Sequence, residues 1–212
     1  MADITVKVLE EAASIDLCTL DEMKMMLGIA TTITTDDEAL AMWITQYSDV
    51  IATMCNRVFA KEKVTETWRG DAPPYENYRI YLTHYPVADD DLEAVTVSGT
   101  LVDPVDYELE NRTGKLTLRG CYDPIVVTYT GGYDLPDEAP EALKQALALL
   151  VQAGRTHLAR AMTSGIRSIS HRESRVMFFD ALAGGVKSAN SPLAVAGETV
   201  DALLYHYMRF NV

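Results

Sequence analysis

Cysteine is scarce in this chain of 212 residues: Cys18, Cys55 and Cys121 stand far apart, in neither CxxC nor Cys/His spacing. That scatter argues against a disulfide framework and a zinc site, and the expectation is reduced thiols in a cytosolic protein. Long hydrophobic runs are missing too, since no stretch approaches the roughly 20 apolar residues that a membrane-spanning helix needs. The opening MADITVKVLEEAASIDL has neither the basic start nor the continuous apolar segment of a secretory signal, and the expectation is a protein that is not exported. Positive charge is in deficit, with 18 Lys and Arg against 31 Asp and Glu and a net charge of -13. Such a balance excludes ordinary DNA binding through a basic stripe, but not a surface past which DNA slides.

Catalytic signatures are also missing. His84, His157, His171 and His206 form no HExxH, HxH or His-Cys cluster. No GxxxxGK[ST], GxGxxG or GxSxG occurs, and TSGIRS and LAGGVKS lack the strand-loop-helix setting that phosphate or acyl chemistry requires. Asp36-Asp37-Glu38 is better explained by a helix N-terminus, which favours carboxylates electrostatically, than by a cation site. Asp89-Asp90-Asp91 lacks EF-hand alternation and reads as a solvated turn. The expectation is no metal, no cofactor and no enzyme. Two other classes stay open: a hydrolase using His157 or His171 with a carboxylate brought from elsewhere, and a ligand-binding or regulatory α+β domain.

What is present is a change of period. TLDEMKMMLGI reads as a short helix capped by Thr19 and stopped by Gly28, with Leu20, Met23 and Leu27 on its buried edge. A longer helix follows, with Thr35 as the expected cap and apolar residues at Leu40, Trp43, Ile44, Tyr47, Ile51, Met54 and Val58. Alternation then replaces the helical step in VTETW, YRIYL, AVTVS, YELE, KLTL and IVVTYT, and NRTG marks a hairpin turn between Leu109 and Lys115. Trp43 and Trp68 are assigned to packing. After Gly131-Gly132 the acidic, proline-containing segment from Asp137 to Glu141 opens a third helix that is apolar nearly all round and therefore central.

From Met162 to Asn190 no clean period persists, as in an extended loop or arm. The last segment places Val200, Leu203, Leu204 and Tyr207 on one helical face, with Tyr205, His206 and Arg209 elsewhere. The fold class is therefore α+β: a small helical bundle of a short helix, two long helices and a C-terminal helix. An inserted antiparallel β lobe and an arm before the last helix complete it. The whole chain, 1–212, is read as a single domain with a helical core at 17–62 and 134–212 and the β lobe at 63–133.

Three features together resemble head-tail adaptor (connector) proteins of tailed bacteriophages. These are the short helix followed by an acidic-capped one, the run YLTHYPV, VTVSGTLV and YELENRTGKLTL, and above all IVVTYTGGYDLPDEAPEALKQALALLV. In the last, Val127, Tyr129, Gly132, Tyr133, Leu135 and Pro136 match the family's V-x-Y-x-x-G-Y phrase and its leucine-proline entry to the central helix. The resemblance covers most of the chain from about Leu17. It implies a structural subunit of a ring of twelve in the virion neck, made in the host bacterial cytoplasm and seated beneath the portal protein. Such a ring carries a stopper or tail-completion protein and lets phage DNA pass through its lumen without sequence-specific binding; no membrane is involved. The alternative is another neck protein, a stopper or tail-completion protein, although stoppers tend to be mostly β.

Two groups of side chains are candidates for contact. Tyr205, Tyr207, Arg209 and Phe210 combine apolar area with directional donors near a chain end and are expected to bind the portal. Arg167, Arg172, Arg175, Phe178 and Phe179, within the aperiodic stretch 163–187, are expected to touch the adjacent subunit or line the channel.

Overall fold

The structure is a computed structural model and describes residues 3–69, 77–119, 124–163, 168–171, 174–177 and 192–209. Chain order is β1 (Asp3–Glu10), α1 (Leu20–Met26), α2 (Asp37–Cys55), β2 (Glu62–Arg69), β3 (Asn77–Tyr81), β4 (Leu92–Val97), β5 (Thr100–Leu101), β6 (Tyr107–Glu110), β7 (Lys115–Arg119), β8 (Ile125–Gly131), α3 (Glu141–Thr163), β9 (Ser168–His171), β10 (Ser174–Met177) and α4 (Pro192–Leu204). The class is α+β, as the change of period implies.

Helix α1 begins as its sequence dictates. Thr19 accepts from the Glu22 amide, and the Glu22 carboxylate accepts from the Thr19 amide at 2.8 Å, so two otherwise unpaired donors are satisfied reciprocally. Gly28, at φ +70°, follows the helix end. Helix α2 starts one residue later than its composition indicates, with Asp36 at the cap and no side-chain cap bond. Asp37 and Glu38 lie in the first turn, as the acidic run implies, and two of its members also make ion pairs: Asp37 holds the buried Lys24 at 2.5 Å, and Asp36 lies 3.5 Å from Arg155. The helical step also does not run on to Val58. The chain leaves α2 at Asn56, in the left-handed region at φ 50°; Cys55, last on the buried face of the helix, and Phe59 beyond the exit lie in the core, while Met54 and Val58 are exposed.

Helix α3 is central. Leu143, Ala146, Leu147 and Val151 are all fully buried, packed among residues of α1, α2 and α4 in one apolar cluster. Each such leucine contributes roughly 1.5–3 kcal/mol by leaving water. Lys144, on the same helix, reaches Glu22 of α1 at 2.6 Å, and the Leu17 amide donates to the buried Ser48 hydroxyl of α2 at 3.1 Å.

The strands form a second core. One antiparallel sheet has the order β1-β2-β8-β4-β5 and another the order β3-β7-β6. Their facing residues, among them Val64, Trp68, Val127 and Tyr129 from the first and Ile80, Leu116 and Leu118 from the second, share one buried cluster, as in a small sandwich. The NRTG turn joins β6 to β7 with Gly114 at φ +65°. Strand β1 is an addition to the expected lobe: its residues pair with β2 from Asp3↔Arg69 to Glu10↔Lys63, although nearly all of them are exposed. Within the aperiodic stretch, β9 and β10 form an antiparallel hairpin, Ser174↔His171 to Met177↔Ser168, where an arm without regular structure was expected.

The matched motif joins the two cores. Tyr129 turns its hydroxyl into the β core, and Gly132, at φ +115°, brings its backbone so close to Ala60 that a Cβ would lie 2.3 Å from the Ala60 carbonyl oxygen. Tyr133 then donates its amide to Phe59 at 2.7 Å and accepts from the Lys61 amide at 2.9 Å. Leu135 re-enters the helical core.

Candidate interaction cleft

Two clusters of polar side chains stand out from the fold, one buried and one open. The buried one surrounds Glu66, which alternation places on the inward face of β2 between Val64 and Trp68. An unpaired carboxylate there would cost several kcal/mol, and four donors meet it. The Thr83 amide lies at 2.8 Å and the Trp68 indole nitrogen at 3.1 Å, joined by the hydroxyls of Thr83 and Tyr129. Burial pushes the Glu66 carboxyl up, but the His84 ring 4.0 Å away and the hydrogen bonds from Thr83 and Tyr129 outweigh it and hold the pKa below the ordinary value. Burial and the Glu66 charge together push the Tyr129 phenol well up. His84, also buried, extends the network to Glu62 at 3.2 Å. With Glu66 fully buried and its acceptors occupied, this is a saturated structural network.

The open cluster is a cleft of about 840 Å³ between the β6–β7 turn and the C-terminal tail. Its inner wall is Arg57, 7% exposed, which follows α2 and lies over the Tyr85 ring with its guanidinium carbon 3.4 Å from the centroid. Arg57 also donates to the Tyr85 carbonyl, while its Nε, buried, has no hydrogen-bond partner among the described residues. Tyr133 and Tyr81 continue the wall, Arg112 and Thr113 form the outer lip from the turn, and His206, Tyr207 and Arg209 close the far side. Burial, its largest influence, raises the pKa of Tyr207. No carboxylate lines the cleft among the described residues, in a chain with 31 acidic side chains.

Each expected portal-binding residue can be placed on this frame. Tyr205 is 59% exposed and stands edge-on to His206. Tyr207 is turned inward, edge-on to Phe59 with ring centroids 6.3 Å apart. Arg209 ties the tail down, its amide donating to the Cys55 carbonyl at 2.8 Å and its guanidinium to the Tyr81 carbonyl at 3.0 Å. Phe210 lies outside the described residues, as do Arg167, Arg172, Phe178 and Phe179, while Arg175 pairs with Ser170 in the β9–β10 ladder. The structure thus brings Tyr207 and Arg209 to the cleft and leaves Tyr205 on the outer surface. Sequence reasoning did not find Arg57 and Arg112, which sit at a helix exit and a hairpin turn where no periodicity marks them.

Among the described residues, no group of three or more His, Cys, Asp or Glu side chains could hold a metal ion, and no helix is long and apolar enough to cross a membrane. Residues 16–154 match the Head completion protein family, and the chain belongs to that family, a structural one of the phage head-tail connection. No curated protein matches the sequence. The fold is similar to a chain from a structure described as the neck of an empty GTA particle computed with C6 symmetry, with a TM-score of 0.53 at 13% identity, covering 98% of this chain and 97% of that one. It is similar also to chains from the virion of a native gene transfer agent particle and from the neck of a native GTA particle computed with C12 symmetry. Both have TM-scores of 0.51, at 14% and 15% identity, and both again cover 98% of this chain and 97% of theirs.

Proposed function

We propose that this protein is a subunit of the head-tail adaptor ring, seated in the virion neck beneath the portal, extending the DNA channel and offering the attachment surface for the stopper or tail. The observation that carries the reading is the end-to-end likeness to neck chains, in a chain whose family is Head completion protein. A closed ring of twelve copies agrees with a neck computed with C12 symmetry and with the preference of homo-oligomers for closed point groups. The single adaptor unit comprises the helical core and the β lobe, with portal contact through the C-terminal tail, where Tyr205 offers the exposed aromatic. The segment 163–187 serves the neighbouring subunit or the channel.

The charge of the chain suits this role. A net charge of -13, part of it facing the bore, repels phosphates and lets DNA pass without adhering. No catalytic step is needed. Electron microscopy of portal complexes with and without the purified chain tests the reading: a coaxial ring beneath the portal is expected, and portal complexes that stay bare at saturating chain concentration would refute it.

A further inference from the structure

A ring built from heterologous contacts requires each subunit to carry two different, complementary surfaces. The cleft supplies one of them. Arg57, Arg112 and Arg209 all line it, together with Tyr81, Tyr85, Tyr133 and Tyr207, and no carboxylate is among its described lining residues. Arginine and tyrosine are the side chains that most often dominate protein interfaces. Arg57 is engaged within the chain by Tyr85 and Arg209 by the Tyr81 carbonyl, while Arg112 is exposed at the lip, where a carboxylate can pair with it in a bidentate fork.

The complementary surface lies on the same chain. Leu101 and Val105, 69% and 70% exposed, are the most exposed large hydrophobic side chains among the described residues, and Asp103 and Asp106 flank them, both exposed. This knob is rigid at its base: the Val102 amide donates to the Val95 carbonyl at 2.9 Å, Val102 packs on the β core, and Asp103 caps the single turn Pro104–Asp106 by accepting from the Val105 amide at 3.1 Å. Its place in the fold decides what it can reach. The knob enters β6 at Tyr107, whereas Arg112 and Thr113 leave β6 at the other end, across the β6–β7 ladder. Several strand residues at about 3.3 Å each separate the two, so the knob cannot enter the cleft of its own chain.

We infer that the acidic, apolar knob Leu101–Asp106 of one copy seats in the arginine-tyrosine cleft of the next, and that this contact, repeated, closes the ring. The inference rests on the adaptor reading and adds to it the subunit contact. Asp103 and Asp106 pair with Arg112 and its neighbours, while Leu101 and Val105 cover the tyrosine faces.

The test is a full-length chain carrying both V105C and T113C, two exposed sites where the fold tolerates change, assembled on portal complexes and mildly oxidised. A ladder of cross-linked species beyond the dimer is expected on a denaturing gel, with the chains carrying V105C or T113C alone giving the background that includes the three native thiols. Adding D103K and D106K is expected to weaken the ladder about tenfold, since like charges across the contact disfavour it. A ring visible under the portal with no ladder above background overturns this contact and leaves the adaptor reading standing. A chain that forms no ring at all overturns both.

Discussion

Arg57 lies flat on Tyr85, 3.4 Å from guanidinium carbon to ring centroid, and donates to the carbonyl of the same residue. The pair spans the junction of the two cores, because Arg57 follows the end of α2 and Tyr85 belongs to the segment that leaves β3. Burial pulls the Arg57 pKa down, yet an arginine stays charged at any pH the protein meets. The stack therefore fixes the β lobe against the helical bundle. Arg57→Lys, which keeps the charge but loses the planar stack and the fork of donors, is expected to cost about 1–2 kcal/mol, and Arg57→Ala more. Denaturant unfolding of the two variants reads the difference.

Glu66 gives a second prediction. Removing the carboxylate by Glu66→Ala leaves the buried Tyr129 and Trp68 donors and the half-buried Thr83 amide without their acceptor, at a cost of roughly 3–5 kcal/mol. Thermal unfolding at neutral pH should show it as a large fall in Tm.

The same carboxylate sets an acid limb. Its folded pKa lies below the ordinary value of 4.5, so the unfolded chain binds the proton more readily in that window. Its contribution is fully present above about pH 4.5 and is lost as pH falls through the lower folded pKa. Stability of the wild type should therefore drop more steeply between pH 4.5 and the acid end than that of Glu66→Gln, in unfolding curves measured at matched ionic strength.

Gly132 tests the motif. With φ at +115° and a built Cβ only 2.3 Å from the Ala60 carbonyl oxygen, Gly132→Ala meets both backbone strain and backbone overlap, with an expected loss of about 2–4 kcal/mol. Gly99, at φ +80° with open space around it, is the control: alanine there meets strain alone and should cost less. Paired unfolding curves separate the two effects.

Much of this architecture could be read from residue order. The capping box of α1, the alternation of β2 and β8 and the all-round apolar α3 each follow local rules that their neighbours support. Strand β1 was missed because its residues are nearly all exposed, so Ile4, Val6 and Val8 bury no continuous face to give the alternation meaning. The β9–β10 hairpin was missed because four-residue strands such as SISH and SRVM carry too short a period. The cleft was legible only in part: Tyr207 and Arg209 come from the tail, but Arg57, Tyr85 and Arg112 meet them through tertiary packing of segments far apart in the chain.

The tail itself must be probed by single side chains. Val200 and Leu204 are fully buried in the helical core, so removing residues 198–212 would strip the fold along with any docking surface. Tyr205→Ala removes a ring that is 59% exposed and is expected to weaken portal binding about tenfold or more, in the range of an interface hot spot, by far more than any accompanying change in stability. Unaltered affinity would move the portal contact elsewhere on the chain.

The most direct test of the adaptor reading is native mass spectrometry of portal complexes saturated with the chain. One discrete mass increment of twelve chains is expected, without intermediate stoichiometries at saturation. A single added copy, or no increment, would contradict it.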